Sequence, residues 1–297
     1  MHYSGITYRP PFETDSLLLQ VTSGCSHNRC TFCTMYADVP FKVSPMEEIK
    51  ADLEESKGIY GKVSRVFLEN GDPFVLPTAR LINIAEMINT TYPEVETIAC
   101  YASIHNIMNK SVEDLQELRR LKINELNIGV ESGLDEVLQQ LNKGYTVTDA
   151  YEQLGKLHAA GMDYGLNIII GAAGAEQYHE HALANARLLN ETQPYLLFTG
   201  SLHYERGCEL FNAVKDGRFV ESTLGELLQE ELTMVEALDL KSTYFFGLHP
   251  SNAVPLSGRL PQEQNTMIEK LRRALATLPA QLLSAVPKRG NEGRILQ

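Results

Sequence analysis

The chain has 297 residues, 43% of them hydrophobic and 22% charged, which is the balance of an ordinary globular protein able to bury a large core. Its formal net charge of −12 argues against a broad nucleic-acid surface, because phosphate backbones are held by clustered Lys and Arg. No apolar run approaches the ~18 residues of a membrane span. The first 14 residues lack the basic and apolar regions of a secretory signal, and five cysteines in a chain this long make no disulfide framework, so a cytoplasmic protein is expected.

From Leu17 onward, apolar β-rich runs alternate with stretches of helical periodicity, the mark of βαβ units and a parallel sheet. Strands are expected near residues 17–22, 63–69, 97–101, 125–130, 164–170 and 195–201. Helices are expected near 45–57, 77–91, 111–121, 134–141 with 147–160, 176–190 and 223–238. Ser44-Pro45 offers an N-cap and a proline at the first helical position, Ser111 caps with Asp114 at the third, and Gly161 closes the helix before it. Because βαβ crossovers are right-handed, six such units in series curl into an open barrel with helices outside, and the chemistry belongs at the C-terminal ends of the strands. No Pro/Gly/Ser-rich linker divides the chain, which favours one large domain. Farther on, residues 244–247 suit a short strand, residues 265–278 a helix, and residues 287–297 a frayed polar end.

Directly after the first strand comes Cys25-Ser26-His27-Asn28-Arg29-Cys30-Thr31-Phe32-Cys33, with no fourth cysteine nearby. Three thiolates on one loop can hold three irons of a [4Fe–4S] cluster and leave the fourth iron open, which points to chemistry rather than electron storage. Zinc is the alternative, with His27 as a fourth ligand, although ligation from inside the first gap would strain so short a loop. Free thiols are a third reading. Cys100 and Cys208 stand alone and suit simple burial.

The ordered motifs of residues 15 to 240 resemble the radical S-adenosylmethionine (radical SAM) superfamily, whose signature is three cluster-binding cysteines after the first barrel strand. The loop with Phe67-Leu68-Glu69-Asn70-Gly71-Asp72 is similar to a subgroup labelled as relatives of oxygen-independent coproporphyrinogen oxidase. One departure is the first cysteine gap, which has four residues, Ser26 to Arg29, where the family usually has three. The resemblance implies an α/β fold, a partial (β/α)6 radical-SAM-type barrel with a C-terminal extension. Residues 1–14 would be a lead-in, 15–241 the barrel and 242–297 the extension.

It also implies a [4Fe–4S] cluster on Cys25, Cys30 and Cys33, and S-adenosylmethionine on its open iron. Asn70, Gly71 and Asp72 stand where the family has Gly-Gly-Glu for the cofactor's amino group; a plain Asn-Gly-Asp-Pro turn is the other reading. Ser103 faces the carboxylate or ribose, or merely begins a helix. Glu131 and Ser132 suit the ribose hydroxyls; a cap for the helix that begins near Leu134 is the other reading of Ser132. Ile169 and Gly171, in a segment resembling Gly-x-Ile-x-Gly-x-x-Gly, fall beside adenine, as does Phe32.

The activity so implied is reductive cleavage of S-adenosylmethionine to a 5′-deoxyadenosyl radical that abstracts hydrogen from a substrate. Polar residues expected at the barrel mouth are Tyr36, His203, Glu205, Arg206, His249 and Asn252. The partners expected are a small molecule rather than a macromolecule, and a one-electron reductant such as flavodoxin or ferredoxin. A non-catalytic iron–sulfur protein for electron transfer or sensing is the other class, but it would saturate its irons with four ligands and has no use for ribose and adenine motifs.

Overall fold

The computed structural model describes residues 1–287; the polar end expected to fray continues beyond Pro287, outside the described residues. β1 (Leu17–Gln20) is followed by β2 (Thr22–Ser23) and β3 (Lys42–Val43), a short antiparallel pair that brackets the cysteine loop. Then come α1 (Met46–Ile59), β4 (Arg65–Glu69), α2 (Thr78–Thr91), β5 (Thr97–Ala102), α3 (Ile104–Met108), α4 (Val112–Arg120), β6 (Ile123–Glu131), α5 (Asp135–Gln140), α6 (Val147–Ala160) and β7 (Asp163–Ile170). The chain continues with α7 (Tyr178–Thr192), β8 (Leu196–Ser201), α8 (Glu209–Lys215), α9 (Leu224–Ala237), β9 (Thr243–Gly247), β10 (Leu256–Leu260), α10 (Gln264–Thr277) and α11 (Ala280–Leu283). The main sheet has the order β1-β4-β5-β6-β7-β8-β9-β10; the β1–β4, β4–β5, β5–β6, β7–β8 and β8–β9 pairs are parallel and the β9–β10 pair is antiparallel. Among the described residues no helix is long and apolar enough to cross a membrane.

The six expected strands and their helices are present with shifts of one or two residues at most ends. Ser44 departs from expectation: its peptide N–H bonds to Val21 O at 3.0 Å, extending the β2–β3 pair, so α1 starts from Pro45 without a side-chain cap. Ser111 and Asp114 form a reciprocal capping box on α4. Gly161 ends α6 at φ +71°, a conformation that costs glycine little.

The chain forms two compact units. The first comprises Met1–Asn28, Met35–Ile128 and Glu152–Tyr164. Its register gives the sheet two different faces. Leu17, Val66 and Ile98 align, as do Leu19, Leu68 and Cys100, and Cys100 pairs with Leu126; this apolar face packs under helices whose buried residues include Ile49, Leu53, Leu81 and Ile84. The opposite face carries Arg65, Phe67, Glu69, Tyr101, Glu125 and Asn127. There Arg65 donates to Glu13 at 2.8 Å and to Glu125 at 2.9 Å, and Phe67 meets Tyr101 edge-on with ring centroids 5.2 Å apart.

The second unit comprises Arg29–Thr34, Gly129–Tyr151 and the described residues from Gly165 onward. Its β7, β8 and β9 are parallel neighbours, with Gly165 to Ile170 paired in register with Leu196 to Ser201. α7 and α9 pack together, and α10 covers α9. Asn252 ties the strand ends with its whole amide: Oδ1 accepts from Ser201 N–H at 2.7 Å, and Nδ2 donates to Thr199 O and Gly247 O.

The Glu13 carboxylate is fully buried and relies on Arg65. Arg65→Met is therefore expected to lower unfolding free energy by about 3 kcal/mol, because removing one partner leaves a buried charge uncompensated. Urea denaturation measures this; a loss below ~1 kcal/mol would show that Glu13 is solvated or neutralised without it.

Candidate cofactor site

In the first unit, Cys25 lies on the turn after β2 and is half-buried. The peptide N–H of Asn28 points at its sulfur, at 3.4 Å. The turn after β4 packs directly on this residue. A Cβ at Gly71 would stand 3.0 Å from Cys25 Cβ, 3.0 Å from Gly24 O and 2.6 Å from the Tyr36 ring, so glycine is the side chain this approach admits. Asp72 accepts the Ser26 hydroxyl; burial raises its carboxyl above the ordinary range, opposed by hydrogen bonds from Ser26 and Asn106.

Asn70 adopts φ +73° and directs its amide to Thr22 O at 3.1 Å, tying the end of β4 to β2. Its side chain is thus a strut. Ser103 is the N-cap of α3, its hydroxyl accepting from Asn106 N–H at 3.3 Å in a capping box, so helix initiation accounts for it. His27 stacks on His105 with centroids 6.2 Å apart. Tyr36 is buried and meets Tyr8 edge-on.

In the second unit, the stretch Cys30 to Cys33 is held by its backbone. Thr31 N–H donates to Leu141 O at 3.1 Å, Thr31 O accepts from Leu210 N–H at 2.9 Å, and the Thr31 hydroxyl donates to Gln140 O. Cys33 N–H closes a turn on Cys30 O. Both cysteines are half-buried. Phe32 and Ile169 pack against the same two apolar clusters, one around Leu202, Tyr204 and Phe219, the other of Val137, Leu141 and Ala172. The structure thus brings together the two apolar side chains expected at adenine.

At the end of β6, Glu131 has φ +72° and pairs with Lys143 at 3.2 Å. Burial works against the Lys143 charge, yet Tyr145, Glu131 and Cys30 together hold its ammonium above the ordinary value. Lys143 was not singled out in the sequence; its place two residues before Tyr145, whose hydroxyl donates to Gly129 O at 3.1 Å, is what sets it beside the strand end.

Ser132 differs from expectation. It is fully buried, accepting from Leu134 N–H at 3.0 Å and bonded to His181 Nε2 at 3.0 Å, so its hydroxyl is engaged by the protein. His181 Nδ1 meets Glu230 Oε1 at 2.8 Å, and the Glu230 carboxylate also accepts the Gly171 N–H at 3.0 Å. Gly171 itself has φ +82°, and a Cβ there would collide with Leu227; its missing side chain serves packing on α9. This buried network binds the ends of β6 and β7 to α7 and α9.

Of the residues expected at substrate, Glu205 accepts from Thr34 Oγ1 at 2.8 Å and Arg206 is exposed. His249 shares a 2.6 Å hydrogen bond with Ser251, and its imidazolium is disfavoured by burial and by His203. Asn252 is corrected to a structural tie, because both ends of its amide are engaged between β8 and β9.

Among the described residues no three His, Cys, Asp or Glu side chains converge on a single ion position. A structural zinc site needs four ligands within about 2.0–2.3 Å of one ion. A cluster asks something different, since each thiolate takes its own iron and the sulfurs spread over an inorganic core. Cys25, Cys30 and Cys33, each half-buried on a loop braced by main-chain bonds, are donors of that kind.

Comparison with known proteins agrees. Residues 19–182, more than half of the chain, match the family model described as the radical SAM superfamily. The heme chaperone HemW of Bacillus subtilis (strain 168) is 24% identical over 155 residues, 52% of this chain and 40% of that protein, so the chain spans about two fifths of this curated relative. The crystal structure of methylornithine synthase (PylB) superposes with a TM-score of 0.54 at 16% identity, covering 92% of this chain and 83% of that one. Coproporphyrinogen III oxidase (HemN) from Escherichia coli, a radical SAM enzyme, gives 0.53 at 18% identity, covering 74% and 50%. These likenesses establish the fold, a partial barrel of parallel strands, and with the matched family model they show that the chain belongs to the radical SAM superfamily.

Proposed function

We propose that this protein is a radical SAM enzyme acting on a small molecule, with Cys25, Cys30 and Cys33 as the ligands of its cluster. The superfamily works with a [4Fe–4S] cluster and S-adenosylmethionine. The observation that carries the reading is the set of three half-buried cysteines within nine positions of a chain that matches the family model from its first barrel strand. The bound pair supplies one-electron cleavage of the sulfonium to methionine and a 5′-deoxyadenosyl radical, for hydrogen abstraction from a substrate yet to be identified.

The chain's own residues hold and orient. Asp72, with the backbone of Asn70 and Gly71, serves the cofactor's amino group; the buried carboxylate accepts from Ser26 and has capacity for a further donor. Lys143, kept cationic by Glu131, suits the cofactor carboxylate. Glu131 takes the ribose role alone, since Ser132 is engaged by His181. Phe32 and Ile169 offer apolar surface to adenine and exclude water from the loop. His203, Glu205, Arg206 and His249, with Tyr36, remain the residues proposed for substrate. A one-electron reductant such as flavodoxin or ferredoxin and a cytoplasmic setting complete the proposal, as does the division into lead-in 1–14, barrel 15–241 and extension 242–297.

Anaerobic reconstitution followed by dithionite and S-adenosylmethionine is expected to yield 5′-deoxyadenosine; none above background with an intact cluster would overturn the enzymatic reading. Cys30→Ala is expected to abolish iron loading and the cluster's absorption. A full [4Fe–4S] spectrum in that variant would contradict the ligand assignment.

A further inference from the structure

The polar face of the first unit's sheet holds two contrasting rows. Toward the N-terminal ends of the strands, Arg65 stands between Glu13 and Glu125, and each carboxylate has its cation. Toward the C-terminal ends, Gln20 is the register partner of Glu69, and Tyr101 that of Asn127. Leu68 pairs with Cys100, so Glu69 and Tyr101 come next to each other one position later. Register partners share a face, and the four residues form one row across four strands.

This upper row is incomplete. Glu69 is fully buried and Asn127 is 2% exposed, yet Glu69 Oε2 and Asn127 Nδ2 have no hydrogen-bond partner. Thr22 Oγ1, just past the end of β1, is buried in the same condition. Glu69 Oε1 accepts a 3.3 Å contact from the amide of Asn70. Burial pushes the Glu69 carboxyl up to about 7, opposed by a hydrogen bond from the Thr7 side chain and reinforced by the Asp52 charge. Native proteins rarely leave a buried acceptor and a buried donor open on one face. The row below shows how this same face answers a carboxylate when the protein supplies the partner; at Glu69 no Lys or Arg stands in the row.

We propose that Glu69 anchors a protonated amine of the substrate, with the Asn127 amide donating to an acceptor oxygen on the same molecule. The ligand class is a small amine that also carries a hydroxyl, carbonyl or carboxylate. Glu69 immediately precedes Asn70-Gly71-Asp72, so the anchor lies at the strand end assigned to the cofactor, where a reacting carbon has to be brought. Calling this ligand the substrate rests on the radical SAM reading; the amine site itself does not.

The test titrates anaerobically reconstituted full-length protein at pH 8 with n-butylamine, its hydroxylated analogue 4-amino-1-butanol, and n-butanol, reading thermal shift and calorimetric affinity. Saturable binding of both amines is expected, with n-butanol at least tenfold weaker and the hydroxylated amine tighter than n-butylamine. In Glu69→Gln the preference for amine over alcohol should vanish. Should that variant lose its fold by circular dichroism, Glu69→Asp keeps the charge and is expected to retain the preference at reduced affinity. Equal response to amine and alcohol, a preference surviving Glu69→Gln, or a folded Glu69→Asp without preference would overturn the site. Formation of 5′-deoxyadenosine in the same wild-type samples separates the two ideas: amine preference without it leaves the site standing and overturns the radical reading, whereas 5′-deoxyadenosine without amine preference overturns the site alone.

Discussion

In the first unit everything depends on a parallel sheet whose two faces are chemically unlike. Alternation along β1, β4, β5 and β6 sends Leu17, Leu19, Val66, Leu68, Ile98, Cys100 and Leu126 under the helices, and Arg65, Glu69, Tyr101, Glu125 and Asn127 to the other side. A slip of one residue would exchange the faces and press a guanidinium and two carboxylates against apolar helices. The Arg65–Glu13–Glu125 group therefore acts as a register lock, and the positions of the strand ends, where the functional turns begin, follow from it.

The functional turns are then held by close backbone approach more than by side-chain variety. Gly71 lets the turn after β4 rest on Cys25, and Thr31 is clamped through main-chain bonds to Leu141 and Leu210. In the second unit the ends of β6 and β7 are joined by a buried His181–Glu230 couple reaching Ser132 and Gly171. Rigid support of this kind is what a site needs when it must position a reactive group rather than merely bind one. The engaged hydroxyl of Ser132 and the spent amide of Asn252 are thus part of the support.

The relatives mark the limit of what fold alone says. Likenesses at 16% and 18% identity share the fold, while the proteins concerned bear different functions, a synthase and an oxidase. Function has to be argued from the site, and here the open polar atoms of Glu69 and Asn127 say more about a substrate than the cysteines do.

The element order and the cysteine triad were legible because their signals are local: periodicity of 2 or 3.6, caps, and three thiols within nine positions. Short pieces such as α3, α8 and β10 escaped because a stretch of five to seven residues shows too little of either period. Side-chain roles were legible only where sequence neighbours decide them, as at Ser111 and Asp114. The Ser103 and Ser132 hydroxyls each have a capping reading and a ligand reading; a local capping box with Asn106 accounts for Ser103, whereas Ser132 is decided by a tertiary partner, His181, 49 residues away. By itself the sequence determined the fold class and the candidate cluster ligands, since both are written in local pattern. Only the tertiary structure decided which polar groups are engaged and which stand open, as at Glu69, because burial and partnership arise when distant strands and helices are brought into register.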